Sequence, residues 1–148
     1  DATVQPVKGD ANTGAGVGQS TVNQVVVADP LNDPKSVLAN RSVFFDYDSY
    51  EISPAGRIVV EEHSKYLRAH TASQIRIEGH ADERGGREYN LALGQKRADA
   101  VRRAMGLLGV PEKQMESVSF GKEKPLALGH DEESWAKNRR ADVAYQGR

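Results

Sequence analysis

The 148-residue chain contains no cysteine, which excludes disulfides, thiolate metal sites and a cysteine nucleophile. Long hydrophobic runs are missing too. The best candidates, Val25-Val26-Val27-Ala28 and Ile58-Val59-Val60, fall far short of the roughly 18 residues that a spanning helix needs. Neither sign of charge dominates: 20 Lys and Arg against 21 Asp and Glu leave a net charge of −1. That removes the electrostatic case for a nucleic-acid partner. Hydrophobic residues make up only 38% of the chain, lean for a fully globular sequence, so some segment is expected outside the core. The first residue is Asp1 rather than Met, which fits a processed product or an expressed fragment.

What is present divides near residue 35. Residues 1–35 are rich in Gly, Asn, Gln, Thr and Asp, and Pro6, Pro30 and Pro34 interrupt any pattern. This composition buries too little apolar surface to offset the entropy of ordering it, and reads as a flexible polar tether. Val22 and Val25-Val26-Val27 could add a brief edge strand.

Residues 36–148 read as one α+β domain. Ser42 to Phe45 is short, aromatic and β-branched, a buried strand. Ser53-Pro54 supplies an N-cap and a first-turn proline for a helix to about His70. Ser73 to Gly79 is a second strand. A helix from near Glu88 carries Leu93, Arg97, Val101, Ala104, Met105 and Leu108 on one stripe, and Gly109 with Pro111 stops it. Met115–Phe120 alternates as a third strand, Asp131–Asn138 forms a short helix around Trp135, and Arg140–Tyr145 is a fourth strand. The order β-α-β-α-β-(α)-β implies helices packed on a mixed four-stranded sheet. The expected core is Phe44, Ile58, Ile75, Ile77, Val101, Met105, Leu108, Val118 and Val143.

The chemistry concentrates between the second strand and the long helix. There Gly79-His80-Ala81-Asp82-Glu83-Arg84-Gly85-Gly86 gathers acids, bases and paired glycines. Strand-to-helix loops are surface segments that commonly carry binding groups. Asp82 past the strand end and Arg97 about two turns into the helix could face one pocket. A carboxylate that accepts from an ammonium, beside a guanidinium that forks onto a carboxylate, forms a receptor for an α-amino-acid group. The bland alternative is that Asp82 and Arg97 pair with each other at little benefit. Tyr47 and Asp48, at the exit of the first strand, can border the same end of the sheet, with Tyr47 as an aromatic wall or merely as a core border.

Gly85 and Gly86 do not form a phosphate loop; they suit a tight positive-φ turn. Asn90 is expected to hydrogen-bond loop backbone. A metal site on His80, Asp82 and Glu83 has permissive spacing, but His63, His70 and His130 are scattered and no convergent set supports it. No serine stands in a nucleophile-elbow context. Neither a cofactor, a metal nor a catalytic group is expected. The pairs Arg102-Arg103 and Arg139-Arg140 read as solvated faces.

The motifs Phe45-Asp46-Tyr47-Asp48, Glu78 to Gly85, Glu88-Tyr89-Asn90, Leu93-Gly94-Gln95, Arg97-Ala98, Gly121 to Pro125, Gly129 to Glu132 and Asn138-Arg139-Arg140 resemble the OmpA-like C-terminal domain family, and within it the peptidoglycan-associated lipoproteins. The resemblance spans about residues 38–146. It implies a domain that binds peptidoglycan non-covalently through the diaminopimelate of the stem peptide. It also implies an outer-membrane lipoprotein of the Tol-Pal system that faces the periplasm and partners TolB. On that resemblance the ligand pocket comprises Tyr47, Asp48, Asp82, Arg84, Leu93 and Arg97. Asp82 and Arg97 would hold the charged groups, Tyr47 and Leu93 would border the stem, and Arg84 and Asp48 would complete the polar rim. Two departures stand out. Gly86-Arg87 occupies a place where the family often has Thr, frequently followed by Pro, and the lipid-modified cysteine is absent from this sequence. Two other readings remain open: a metal-dependent cell-wall hydrolase built on His80, Asp82 and Glu83, or the OmpA-like domain of a motor stator or porin.

Overall fold

A computed structural model describes residues 29–147. The chain divides into two units between Asp33 and Pro34. Of the first, only Asp29 onward is described: a 3-10 turn, Pro30–Asn32, starts with the Asp29 carboxylate accepting from the Leu31 N–H at 3.0 Å. The expected tether up to residue 28, including the Val22 to Val27 strand, lies outside the described residues.

Among its described residues the second unit carries four strands and three α-helices. They are β1 (Ser42–Phe44), α1 (Pro54–Ala69), β2 (Ile75–His80), α2 (Arg87–Leu107), β3 (Met115–Gly121), α3 (Glu132–Asn138) and β4 (Arg140–Tyr145). The sheet order is β1-β4-β2-β3. β2 and β3 run parallel, joined by the α2 crossover, and β4 is antiparallel to both β1 and β2. β1 and β2 therefore end at the same edge of the sheet, which is also where β4 begins. The expected α+β architecture and element order hold.

Local chemistry sets the boundaries. The Ser53 hydroxyl accepts from the Gly56 N–H at 3.1 Å and Pro54 opens α1. The Asp131 carboxylate caps α3 through the Ser134 N–H at 2.9 Å. Both are side chains satisfying helix donors that lack intrahelical partners. α2 begins differently. Its N-cap is Gly86, which offers no side-chain acceptor.

α1 and α2 both pack on the sheet. The core comprises Val43, Phe45, Ile75, Ile77, Ala141, Val143 and Tyr145 from the strands or their ends, with Val59, Val60, Leu67, Ala98, Val101 and Met105 from the helices. Four expected core residues lie elsewhere. Phe44 is 46% exposed and Ile58 59%. On β1 the inward parity belongs to Val43 and Phe45, which turns Phe44 to the other face. On α1 the buried positions Gly56, Val59, Val60, His63 and Leu67 recur at three and four residues and leave Ile58 opposite. Leu108, the C-cap of α2, is partly exposed. Val118 is half-buried, because Ser117 and Ser119 hold the parity facing α2: Ser117 Oγ donates to Asp99 at 2.7 Å.

One contact fixes how closely α2 lies on the sheet. A Cβ on Gly79 would stand 1.7 Å from the Gly94 carbonyl oxygen, and a Cβ on Gly94 would stand 2.3 Å from the Ser119 hydroxyl. Strand and helix thus meet backbone to backbone. That brings the N-terminal half of α2 against the end of β2 and the segment that follows β1.

Candidate ligand-binding site

At that edge the segment after β1, the loop after β2 and the first turns of α2 enclose one cleft. Its walls are Tyr47, Asp48, Ala81, Asp82, Arg84, Gly85, Tyr89, Asn90, Leu93 and Arg97. All six residues singled out from sequence are among them. The free space is only about 50 Å³. A larger groove, about 680 Å³, runs along the C-terminal half of α2 to Met115, but its open surface gathers no convergent buried polar groups.

Arg97 is fully buried. Its Nε donates to the Ser49 carbonyl at 2.7 Å, Nη1 to the His80 carbonyl at 2.9 Å and Nη2 to the Asp46 carbonyl at 3.1 Å. One guanidinium thereby fastens the end of β2 to the segment leaving β1. Burial pushes its pKa down to about 10, against the opposing pull of Asp82 and Asp48, so it keeps its charge at neutral pH. Three of its five N–H groups are committed, leaving two.

Asp82, 4% exposed, does not pair with Arg97. Its carboxylate accepts from the Arg84 N–H at 3.0 Å, from Arg84 Nε at 3.3 Å and from Arg84 Nη2 at 2.7 Å. Arg139 Nη1 approaches to 3.5 Å, an ion pair longer than a good hydrogen bond. Burial pushes the Asp82 carboxyl up, but the Arg84 bonds, aided by Arg139, outweigh it and hold the pKa below the ordinary value. The bland alternative, a direct Asp82–Arg97 pair, is therefore not what the structure shows: Arg97 serves backbone carbonyls and Asp82 serves two other arginines.

The rim is aromatic. The Arg84 guanidinium carbon lies 4.2 Å from the Tyr47 ring centre and 4.1 Å from that of Trp135, so the cation is held between two rings. Trp135 Nε1 donates to Glu83 Oε2 at 2.8 Å, and His130 Nδ1 meets the same carboxylate at 2.8 Å. Asp48 adopts a left-handed backbone with φ of 56° and accepts a hydrogen bond from the Tyr89 hydroxyl. Asn90 Nδ2 donates to the Arg84 carbonyl at 2.8 Å, as its position near the helix start suggested. Gly85 has φ of 95°, whereas Gly86 is extended, so only the first of the paired glycines needs its conformational freedom.

Three participants escaped the sequence reading. Tyr89 precedes Leu93 and Arg97 at intervals of four on α2, a signal that was available. Trp135 and Arg139 come from α3 and its C-terminus, some fifty residues downstream of Asp82, and no spacing links them to it. The proposed trio His80, Asp82 and Glu83 does not converge. Asp82 faces Arg84, Glu83 faces Trp135 and His130, and His80 lies beside Glu78 and Asp142 on another part of the sheet.

Comparison with known proteins places this geometry. The OmpA family matches residues 44–139. A curated relative from Pseudomonas aeruginosa, named peptidoglycan-associated lipoprotein, is 42% identical over 97% of this chain and 83% of its own length. A relative of the same name from Pasteurella multocida is 46% identical over 70% of this chain and 69% of its own. The crystal structure of the peptidoglycan-associated lipoprotein from Burkholderia pseudomallei superposes with a TM-score of 0.78 at 63% identity, covering 80% of this chain and all of that one. The C-terminal domain of Helicobacter pylori MotB, 21% identical with a TM-score of 0.66, shares the fold. The curated relatives are named for an association rather than a reaction. From residue pattern, fold and relatives together, the chain belongs to the OmpA family.

Proposed function

We propose that the chain is a non-catalytic, peptidoglycan-binding lipoprotein that ties the outer membrane to the cell wall by gripping the diaminopimelate of a stem peptide. The observation that carries this reading is the convergence, in one cleft, of a buried carboxylate and a buried guanidinium that are not spent on each other. Diaminopimelate ends in an amino-acid group that bears one charge of each sign. Asp82 accepts from its ammonium, and the two uncommitted N–H groups of Arg97 donate to its carboxylate. Leu93 and Tyr47 flank the aliphatic stem, and Asp48 and Arg84 complete the rim. The relatives' names support the wall as the target.

In this reading residues 1–35 form a polar tether to a lipid anchor in the outer membrane, and residues 36–148 form the wall-binding domain in the periplasm. TolB is its protein partner in the Tol-Pal system, where the link supports envelope integrity and outer-membrane invagination at division. The metal-hydrolase alternative loses its basis, because its three residues face different partners.

Asp82→Asn tests the receptor with the least change of shape. Sedimentation with purified peptidoglycan should fall by about ten- to a hundredfold in affinity, as one charge-assisted contact of about 1.5–3 kcal/mol is lost. Full retention of binding by a folded Asp82→Asn protein would refute the assignment.

A further inference from the structure

We infer that Arg84 is the cleft's own occupant, a built-in cation that rests on Asp82 between Tyr47 and Trp135 and must be exchanged for the ammonium of an incoming ligand. This rests on the amino-acid-receptor reading of the cleft and adds to it a specificity-determining residue. Four observations carry it. The Asp82 side chain is 5% exposed, and a carboxylate so buried needs a partner at all times. Arg84 supplies one through Nε and Nη2. The guanidinium fills the slot between the two rings and covers the carboxylate oxygens that a ligand ammonium would meet. Finally, the Arg84 side chain is 32% exposed, so it can give up Asp82 and shift outward while staying at the rim.

The exchange leaves the receptor in order. The Arg84 backbone N–H still donates to Asp82 Oδ1 when the side chain departs, and Asn90 still holds the Arg84 carbonyl. Only Nε and Nη2 are given up, and a ligand ammonium replaces them. A ligand with no cation offers Asp82 nothing in return, so it cannot evict Arg84. Selectivity for a free amine follows from the arginine already seated there. Trp135 belongs to the same device: Glu83 fixes its indole so that its face closes the slot.

Trp135 is the only tryptophan in the chain, so the exchange reports itself. The experiment uses the full chain and a diaminopimelate-containing muropeptide, either with its free amine or with that amine acetylated. Calorimetry reads binding, stopped-flow reads Trp135 emission, and NMR follows the Arg84 Nε–H signal. The free-amine form should change the emission and move the Arg84 signal, and the acetylated form should do neither. Arg84→Ala, with Arg84→Gln as a second variant should the first fold poorly, should associate about tenfold faster, the factor expected if the wild-type cleft is open about a tenth of the time. Binding of the free-amine form by calorimetry with an unmoved Arg84 signal and unchanged emission would overturn the exchange while leaving the receptor standing. Equal or slower association by the folded variants would do the same. No heat of binding with any form would instead bring down the receptor reading itself, and the exchange with it.

Discussion

Arg97 and Asp82 show how two charges of one cleft can carry different burdens. Arg97 spends three N–H groups on the carbonyls of Ser49, His80 and Asp46, so it is a fastener of the fold before it is a ligand contact. Arg97→Ala orphans all three acceptors and empties a fully buried volume. A loss of about 3–5 kcal/mol in unfolding free energy is expected, measured by urea denaturation, and the cleft should fail with it. Asp82→Asn keeps the shape and should cost far less stability than it costs binding. A melt of Arg97→Ala superimposable on the parent would contradict this division. The sequence made both residues visible as charges bracketing a strand-to-helix loop. It could not reveal that Arg97 is consumed by backbone, because its acceptors are carbonyls, which every residue carries. Nor could it reveal Arg84 as the partner of Asp82, because a pair two residues apart reads as ordinary loop polarity.

Among the elements, α2 has the weakest beginning and the most demanding neighbour. α1 and α3 open on Ser53 and Asp131, each accepting from a first-turn N–H, while α2 opens on Gly86 with no such bond. Other links hold the loop: Asn90 on the Arg84 carbonyl, and Lys122 Nζ on the Gly85 carbonyl at 2.9 Å. Gly86 has φ of −75°, and a Cβ there would meet nothing within 4 Å. Gly86→Ser therefore adds a cap and stiffens the unfolded chain at no steric cost. Stability should rise by about 0.5–1 kcal/mol, read as a higher urea midpoint with an unchanged slope. An unchanged or lower midpoint would mean the Gly86 hydroxyl-bearing substitute never reaches the first-turn donors. The strands and helices themselves were legible, since their periods, caps and stops are local signals. Parity on short strands was not: Ser42 to Phe45 offers apolar groups to both faces, and only the helices above Val43 and Phe45 decide between them. The same blindness assigned Val118 to a core that is lined on β3 by Met115, Ser117 and Ser119.

Across the whole molecule, the buried histidines set how the fold answers to acid. His80 is 3% exposed, neither ring nitrogen has a hydrogen-bond partner, and Phe120 lies 5.5 Å from it, ring to ring. Burial first, then the charges of Arg140 and Lys124, push its pKa down from 6.5 to about 4, against the opposing pull of Asp142. The 3.7 Å approach of Nε2 to Asp142 is thus a contact of a neutral ring, not a salt bridge, and Asp142 already accepts from Arg140 Nε at 2.9 Å. His63, fully buried between the Tyr145 hydroxyl and the Asn40 carbonyl, is shifted the same way, chiefly by burial. Both histidines are therefore neutral in the fold and take up a proton in the unfolded chain below about pH 6.5. Falling pH then favours the unfolded state. For His80 alone the loss runs at about 1.4 kcal/mol per pH unit, or about 3 kcal/mol between pH 6.5 and 4. Asp82 and Glu132, whose pKa values are lowered from the ordinary carboxylate values, add their losses from about pH 5 downward, so the histidines alone account for the decline between about pH 6.5 and 5. Urea midpoints should be flat from pH 8 to about 7 and then decline steadily toward pH 4.5. His80→Gln should flatten that decline whatever it does to stability at pH 8, and a decline equally steep in the variant would show that the proton enters elsewhere.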